Sequence, residues 1–197
     1  MRQKLIDLVY FFYQKYWDEI FTRIRLFPYR LFGLKVGSHV RASSGLCLSR
    51  RFLRRITIGN NVSLGSRGCI SIERKDGLVS IGDGTMMASD FFISSDAPVH
   101  IGRDCLFSFR VSILGHAHPV GWGIKPVTSG YEECAPTSIG DGCSIGCNST
   151  IMPGVSLGDY CVVGANSVVM NSFPPGSVIA GVPAKLLRSL NENHAPT

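Results

Sequence analysis

Aliphatic residues recur every six positions along the C-terminal half of this chain. In the stretch from residue 139 to 188, Gly follows the aliphatic residue in four of six cases. The positions that carry this period are Ile139, Ile145, Ile151, Leu157, Val163 and Val169. A short, fixed period of this kind predicts a solenoid, in which each repeat packs on its neighbours.

The same six-residue step continues upstream in groups of three, faintly from about Val36 and clearly from Ile58. The groups are Ile58, Leu64 and Ile70, then Ile81, Met87 and Ile93, then Ile101, Phe107 and Ile113. Three steps make an 18-residue coil with three flat faces, and small insertions at residues 76–80 and 99–100 fall at its corners. We therefore predict an all-β fold, a parallel β-helix of triangular coils over residues 36–190, with a tail at 191–197.

Small residues stand four places after each aliphatic one, where the interior of a narrow coil has little room. They include Cys105, Cys143 and Cys161, which we interpret as small buried hydrophobes and not as redox or nucleophilic groups. The total of seven cysteines is odd and contains no CxxC pair, which favours a reducing compartment, the cytoplasm, over a disulfide scaffold.

Residues 1–35 form a separate N-terminal segment with a helical pattern. Its apolar residues step by three or four up to about Phe32, and Pro28 is expected to break the helix: Leu5, Val9, Phe12, Tyr16, Ile20, Ile24 and Phe27. Basic side chains flank this face, so the helix could lie on the anionic inner leaflet of a membrane. The alternative is a helix packed on its own domain or on a neighbouring subunit.

Charge is divided unevenly along the chain, which has a net charge of +6. Residues 1–55 hold 12 Lys and Arg against 3 Asp and Glu, whereas the remainder holds 8 against 11. An acidic partner surface would therefore meet the N-terminal quarter. The apolar stretches near the start are too short for a bilayer span, so we expect at most peripheral membrane contact. The basic run Arg50–Arg55 has no nucleic-acid-binding motif around it, and no nucleic acid partner is expected.

The six-residue frame is lost between Ile113 and Ile139, where 26 residues replace one step. The surplus predicts a loop that leaves the solenoid at about residues 119–138, and long loops in compact repeats are usually functional. His116 and His118 stand immediately before it, in the string ILGHAHP.

These features together resemble the hexapeptide acyltransferases. The repeat in threes, a histidine before an extruded loop, and the closing string PGVSLGDYCVVGANSVVMNSFPPGSVIAGVPAKLLR are similar to the sugar and polysaccharide O-acetyltransferase branch. The resemblance implies a left-handed β-helix, a homotrimer, and acetyl-CoA bound in the groove between two neighbouring helices. It also implies transfer of an acetyl group to a saccharide hydroxyl in surface polysaccharide or lipopolysaccharide synthesis.

The resemblance assigns the catalytic role to a histidine. In the family this residue commonly stands five positions after the aliphatic residue of its hexapeptide and precedes Pro, which points to His118 as general base and leaves His116 a supporting role. A neutral imidazole suits the task because it can accept a hydroxyl proton near neutral pH. Direct attack on the thioester needs no acyl-enzyme.

Further site residues follow from the matching motifs. Backbone groups at Gly146, Cys147, Gly164 and Ala165 would contact CoA, and Lys185 and Arg188 would meet its phosphates. The glycines are equally well explained as turn residues. Asp90, Trp122 and Glu132 are candidates for binding the acceptor or orienting a histidine.

Three other functions remain open on the sequence alone. The first is N-acetylation of a nucleotide-linked amino sugar. A second is a zinc-dependent, carbonic-anhydrase-like β-helix, for which HAH would supply two ligands, although the chain offers few further histidines in the solenoid. The third is a non-catalytic binding module.

Overall fold

Short parallel strands wind into six triangular coils in the computed structural model, which describes residues 20–125, 128–130, 132 and 135–190. Up to Val169 the chain visits three sheets in strict rotation, so each strand pairs with the strand one coil away. The last two strands, Ser177–Gly181 and Ala184–Ser189, instead form an antiparallel hairpin at the end of the second sheet. The fold is the left-handed parallel β-helix that the sequence pattern and the family resemblance predict.

Each face of the prism is one sheet. The first sheet contains β1 Lys35–Val36, β4 Ile56–Ile58, β7 Leu78–Ile81, β10 Pro98–Ile101, β13 Thr137–Ile139 and β16 Ser156–Leu157. The second contains β2 Arg41–Ala42, β5 Ser63–Leu64, β8 Met86–Met87, β11 Leu106–Phe107, β14 Ser144–Ile145, β17 Val162–Val163, β19 Ser177–Gly181 and β20 Ala184–Ser189. The third contains β3 Cys47–Leu48, β6 Cys69–Ile72, β9 Phe92–Ser95, β12 Ser112–Ile113, β15 Thr150–Ile151 and β18 Val168–Val169.

The aliphatic positions of the repeat lie directly over one another and form the core. In the first sheet, for example, Ile58 pairs with Ile81, and Ile101 pairs with Ile139. These side chains are at most 4% exposed. Stacked interior rows of this kind bury apolar area in every coil, which confirms the frame read from the sequence.

The small interior positions are also confirmed. Cys105, Cys143 and Cys161 are all buried, as expected for small hydrophobes in a narrow coil. Two boundaries differ from the prediction: because β7 and β10 begin at Leu78 and Pro98, the insertions lie at residues 73–77 and 96–97. Both insertions lie at the corner between the third and first sheets.

A helix, α1, covers the first coil over residues 20–31. Thr22 and Leu26 are buried against the solenoid, and the Ala42 amide of β2 donates a hydrogen bond of 3.1 Å to Thr22 Oγ1. The N-terminal part of the predicted helix, residues 1–19, and the tail at 191–197 lie outside the described residues. In the described ranges, no helix has the length and apolar character needed to cross a membrane.

The helix was expected to break near Pro28, and it ends three residues later, at Leu31. Gly33, with φ of +101°, ends the helix instead. Its amide donates to the Arg30 carbonyl and the Leu34 amide donates to the Tyr29 carbonyl, which is the hydrogen-bond pattern of a Schellman motif. A glycine in the left-handed conformation therefore overrides the proline as the stop signal.

Candidate active site

The extruded loop leaves the solenoid at the corner between the third and first sheets. The last ladder hydrogen bond runs from Leu114 N to Ile151 O, and β13 resumes the coil at Thr137. Because β12 ends at Ile113, the loop spans residues 114–136. Thr137 and Ser138, which the sequence pattern placed in the loop, belong to β13 and pair with Val99 and His100.

His118 is held by the returning limb of this loop. Its Nδ1 lies 3.0 Å from the carbonyl oxygen of Gly130, and the Glu132 amide donates to Ala117 O at 2.9 Å. Because a carbonyl oxygen only accepts, Nδ1 must carry the hydrogen of this bond. The lone pair of the neutral ring is then on Nε2, which is the arrangement that a general base requires.

His116 lies beside His118 with a different exposure. The two ring centroids are 5.8 Å apart at an interplanar angle of 85°, and His116 is half-buried while His118 is exposed. The structure therefore brings both histidines and the backbone of Glu132 together. Trp122 stands farther along the same loop with its side chain fully exposed.

Asp96 is a residue that the sequence reasoning missed. It lies one coil before the histidine segment, where the amides of Asp96 and Ala97 both donate to Gly115 O at 3.3 and 3.2 Å. Its side chain is buried, and both carboxylate oxygens lack a hydrogen-bond partner in the described structure. A buried carboxylate normally requires such partners. The sequence did contain a signal for it, because Asp96 is an acidic residue at the same corner as the histidines, one coil earlier.

The predicted CoA residues lie at a different corner, between the second and third sheets. Within the described part of the chain, the backbone N–H groups of Cys147 and Ala165 donate no hydrogen bond. At the corner between the first and second sheets, by contrast, side chains of the next coil accept hydrogen bonds from several backbone N–H groups. The Asn60 amide donates to Asp83 Oδ1 at 2.7 Å, and the Asp141 amide donates to Asp159 Oδ1 at 2.8 Å. The amides at Cys147 and Ala165 are thus available to a ligand.

Gly146 and Gly164 have a packing role at the same corner. A Cβ added to Gly146 would lie 2.5 Å from Ala165 N, and one added to Gly164 would lie 2.7 Å from the Cβ of Ala180. Both contacts are with the next coil. Close stacking of coils therefore explains these glycines without a ligand.

Lys185 is brought to this corner by the hairpin that ends the second sheet. It pairs with Ala180, the residue that stacks on Gly164, and the Gly181 amide donates to Ser167 Oγ at 3.1 Å. Arg188 pairs with Val178 farther along β20, and both cationic side chains are exposed. A line of unsatisfied amides leading to two cations suits a ligand with phosphate groups.

Asp90 lies at the corner of the unsatisfied amides and not beside the histidines of its own chain. Arg67 donates two hydrogen bonds to its carboxylate, at 2.7 and 2.8 Å. Hydrogen bonding and charge from Arg67, helped by the charge of Arg110, lower the pKa of Asp90 below its usual range. The carboxylate is therefore ionised at neutral pH and paired with Arg67.

The site residues thus fall on two edges of the prism. The histidine edge carries Asp96, His116, His118, Trp122 and Glu132, and the amide edge carries Asp90, Cys147, Ala165 and Lys185. The third sheet separates these two edges within one chain. Among the described residues, no group of three or more His, Cys, Asp or Glu side chains could hold a metal ion.

Comparison with known proteins agrees with this architecture. A family profile described as "Hexapeptide repeat of succinyl-transferase" matches residues 136–171. The putative lipopolysaccharide biosynthesis O-acetyl transferase WbbJ of Escherichia coli is 36% identical over 122 residues, covering 58% of this chain and 62% of that protein. The alignments to the first curated relatives span 38% to 62% of those proteins' own lengths.

Solved structures extend the comparison. The hexapeptide-repeat-containing acetyltransferase VCA0836 of Vibrio cholerae, in complex with acetyl-coenzyme A, is 32% identical with a TM-score of 0.55, covering 64% of this chain and 70% of that one. AntD, an N-acyltransferase of Bacillus cereus in complex with dTDP and coenzyme A, shares the fold at 22% identity, with a TM-score of 0.70 and coverage of 81% and 86%. This chain belongs to the hexapeptide-repeat acyltransferase family.

Proposed function

We propose that this protein transfers an acetyl group from acetyl-CoA to a saccharide hydroxyl, with His118 as the general base. The observation that carries the proposal is the hydrogen bond between His118 Nδ1 and Gly130 O, which leaves Nε2 as the proton acceptor. The names of two relatives support the chemistry: WbbJ is a putative lipopolysaccharide biosynthesis O-acetyl transferase, and VCA0836 was solved with acetyl-coenzyme A.

The proposed mechanism is direct transfer. Acetyl-CoA supplies an activated thioester carbonyl. His118 Nε2 accepts the proton of the acceptor hydroxyl as its oxygen attacks that carbonyl, and it returns the proton to the sulfur of the departing CoA. A positioned base contributes about 10²- to 10⁴-fold to such a step. The buried cysteines of the solenoid take no part.

The acyl donor would lie along the amide edge. Cys147 N and Ala165 N would donate to the pantetheine arm, while Lys185 and Arg188 would meet the phosphates. On the histidine edge, the carboxylate of Asp96 would accept a hydrogen bond from a hydroxyl of the acceptor, which would supply the partner that this buried group lacks. Trp122 and Glu132 would border the acceptor.

A site that uses both edges requires two chains. The third sheet separates His118 from Cys147 and Ala165 within one subunit, whereas two neighbouring subunits can face each other edge to edge. We therefore propose a homotrimer with a cyclic arrangement, in which the histidine edge of one subunit faces the amide edge of the next. Acetylation of a surface saccharide precursor would take place in the cytoplasm.

N-acylation of a nucleotide-linked amino sugar is the second candidate. It is favoured by the structural similarity to AntD, an N-acyltransferase solved with dTDP and coenzyme A. An amine acceptor must first lose the proton of its ammonium form, so the pH dependence of transfer would differ between the two acceptor classes.

The acceptor can be identified by mass spectrometry. Candidate lipid-linked and nucleotide-linked saccharides, with either hydroxyl or amino acceptor groups, are incubated with acetyl-CoA and with wild type, His118→Ala or His116→Ala. The proposal expects an added acetyl ester that depends on His118. Acetyl amides would favour the second candidate, and loss of transfer in His116→Ala but not in His118→Ala would assign the base to the other histidine.

A further inference from the structure

The helix α1 is apolar on two opposite faces, and its own solenoid covers only one of them. Thr22 and Leu26 are buried against the first coil. The opposite side carries an outer stripe of Ile20, Ile24, Phe27 and Leu31, which are 46%, 63%, 60% and 69% exposed. Steps of four, three and four residues place these side chains in one line along the helix. Phe32, 70% exposed, follows directly.

The stripe contains the last three apolar positions that the sequence pattern assigned to the helix. Ile20, Ile24 and Phe27 point away from the solenoid, so packing on the protein's own domain does not account for them. Four large apolar side chains in line are more than the scattered exposed hydrophobics of an ordinary surface, and a patch of this kind marks an interaction site.

A cluster of arginines lies beside the stripe. The 3-10 helix Arg50–Arg55 exposes Arg50, Arg51, Arg54 and Arg55, here called the arginine turn, while Leu53 anchors it in the core. The aliphatic stem of Arg54 packs against Gly33 at the end of α1. A groove of about 550 Å³ joins the two elements and is lined by Arg25, Pro28, Tyr29, Phe32, Arg50 and Leu53.

The other flank of the stripe is also basic. A second groove, of about 580 Å³, separates α1 from the first coil, and Arg23, Arg30 and His39 line it together with apolar residues. Residues 20–55 as a whole hold nine Lys and Arg and contain no Asp or Glu. The stripe is therefore an apolar line between two cationic borders.

We propose that the outer stripe and the arginine turn form a docking surface for an anionic lipid bilayer. Ile24, Phe27 and Leu31 would enter the boundary between headgroups and acyl chains, and the arginines would meet lipid phosphates on either side. The positive charge beside the stripe determines which kind of partner fits this surface. A purely apolar partner would leave the flanking arginines desolvated and unpaired, whereas a phosphate-bearing surface with an apolar interior satisfies both features. The inference does not depend on the identity of the acetyl acceptor.

Co-sedimentation of the full chain with vesicles tests this surface. One set of vesicles contains phosphatidylglycerol and phosphatidylcholine, and the other contains phosphatidylcholine alone. Wild type is expected to bind the anionic vesicles, and more weakly at high salt. Phe27→Ser with Leu31→Ser should weaken binding by roughly a hundredfold, and Arg50→Gln with Arg54→Gln by about fivefold per arginine. Tyr160→Ser and Arg103→Gln are the matched controls, because they remove one exposed aromatic and one exposed basic side chain at the corner between the first and second sheets. Both variants should bind as wild type.

A second variant keeps the test independent of any folding defect. Phe27→Trp preserves an apolar aromatic side chain, and brominated lipids should quench its added fluorescence when vesicles contain phosphatidylglycerol. The proposal is overturned if wild type ignores anionic vesicles, if it binds neutral vesicles equally well, or if the added fluorescence is not quenched. It is also overturned if Phe27→Ser with Leu31→Ser lowers the native mass, because the stripe would then be a contact between subunits. Retained CoA binding in the same variants would separate this result from the proposed function.

Discussion

The hydrogen bond from His118 to the Gly130 carbonyl determines which ring nitrogen can accept a proton. A backbone carbonyl on the returning loop fixes Nδ1–H, so the neutral ring presents the lone pair of Nε2. In the sequence, the family resemblance favours His118 because it stands five positions after Ile113 and precedes Pro119. The geometry adds a physical reason, because it leaves the lone pair on Nε2.

Replacing His118 by Asn should lower kcat/KM by about 10²- to 10⁴-fold, because the base is lost while a hydrogen-bonding side chain of smaller size remains. Steady-state release of free CoA measures this effect. His116→Asn is the matched control and should retain far more activity. Equal losses in both variants would mean that the histidines act as a unit.

Asp96 offers a second residue-level prediction. Asp96→Asn keeps the shape of the side chain but removes a buried carboxylate that has no hydrogen-bond partner among the described residues, so the thermal midpoint should stay the same or rise. If the carboxylate binds the acceptor, the KM for that acceptor should rise by about tenfold or more. A lower thermal midpoint with unchanged KM would instead assign Asp96 a structural role.

At the scale of single elements, the corners of the coil differ in how their backbone amides are satisfied. The corner between the first and second sheets uses side chains such as Asp83 and Asp159 from the next coil. At the corner of Cys147 and Ala165, none of the described residues accepts a hydrogen bond from these two amides. The two corners therefore differ in whether a side chain of the next coil accepts a hydrogen bond from the corner amide. The corner whose amides have no such acceptor within the described ranges is the one that can bind a ligand through them.

Glycine substitutions at these two corners provide a matched pair. Gly146→Ala should cost roughly 1–3 kcal/mol, because its Cβ would lie 2.5 Å from Ala165 N. Gly102→Ala should cost a similar amount, since its Cβ would lie 2.6 Å from the carbonyl carbon of Gly140. Urea unfolding gives both values, and calorimetric titration with CoA should find weakened binding only for Gly146→Ala. Equal CoA affinity in the two variants would argue against the amide edge as the CoA site.

The Arg67–Asp90 pair links two adjacent coils and makes a pH-dependent contribution. The pKa of Asp90 is lower in the folded chain than in the unfolded one. Its stabilising contribution is therefore full above the unfolded pKa of about 3.9 and is lost as the pH falls through the lower folded value. Asp90→Asn should lower the urea midpoint slightly at pH 7, and the difference from wild type should shrink at pH 3. A difference that grows toward low pH would contradict this sign.

The sequence predicted the coils well because their cause is local. Each hexapeptide repeats one pattern of one aliphatic and one small interior residue, so Ile58, Leu64 and Ile70 are enough to define the frame. The end of α1 at Gly33 was missed because Pro28 was read as the stop signal. The Schellman motif depends on the left-handed conformation of Gly33, which the sequence does not show. Asp96 was missed because its burial beside Gly115 arises from coil stacking, which connects residues about twenty positions apart. The outward direction of Ile24 and Phe27 likewise depends on how α1 docks.

At the scale of the whole molecule, the candidate site is divided between two edges of a prism. His118 and Asp96 lie on one edge, and Cys147, Ala165 and Lys185 on another, with the third sheet between them. No rearrangement within a rigid coil can bring these edges together. The proposed cyclic homotrimer would join each histidine edge to the amide edge of the next subunit and would make every site shared. Light scattering should therefore find a native mass of about three chains.

Subunit complementation tests the shared site and its base most directly. Two inactive variants are prepared, His118→Ala, which lacks the base, and Ala165→Trp, which blocks the amide edge. They are assayed for acetyl transfer alone and after refolding together. We expect negligible turnover from each variant alone and recovery of about a quarter of wild-type turnover in an equal mixture, because random assembly pairs an intact histidine edge with an intact amide edge at about one site in four. Substantial activity in His118→Ala alone, or a mixture as inactive as its components, would contradict it.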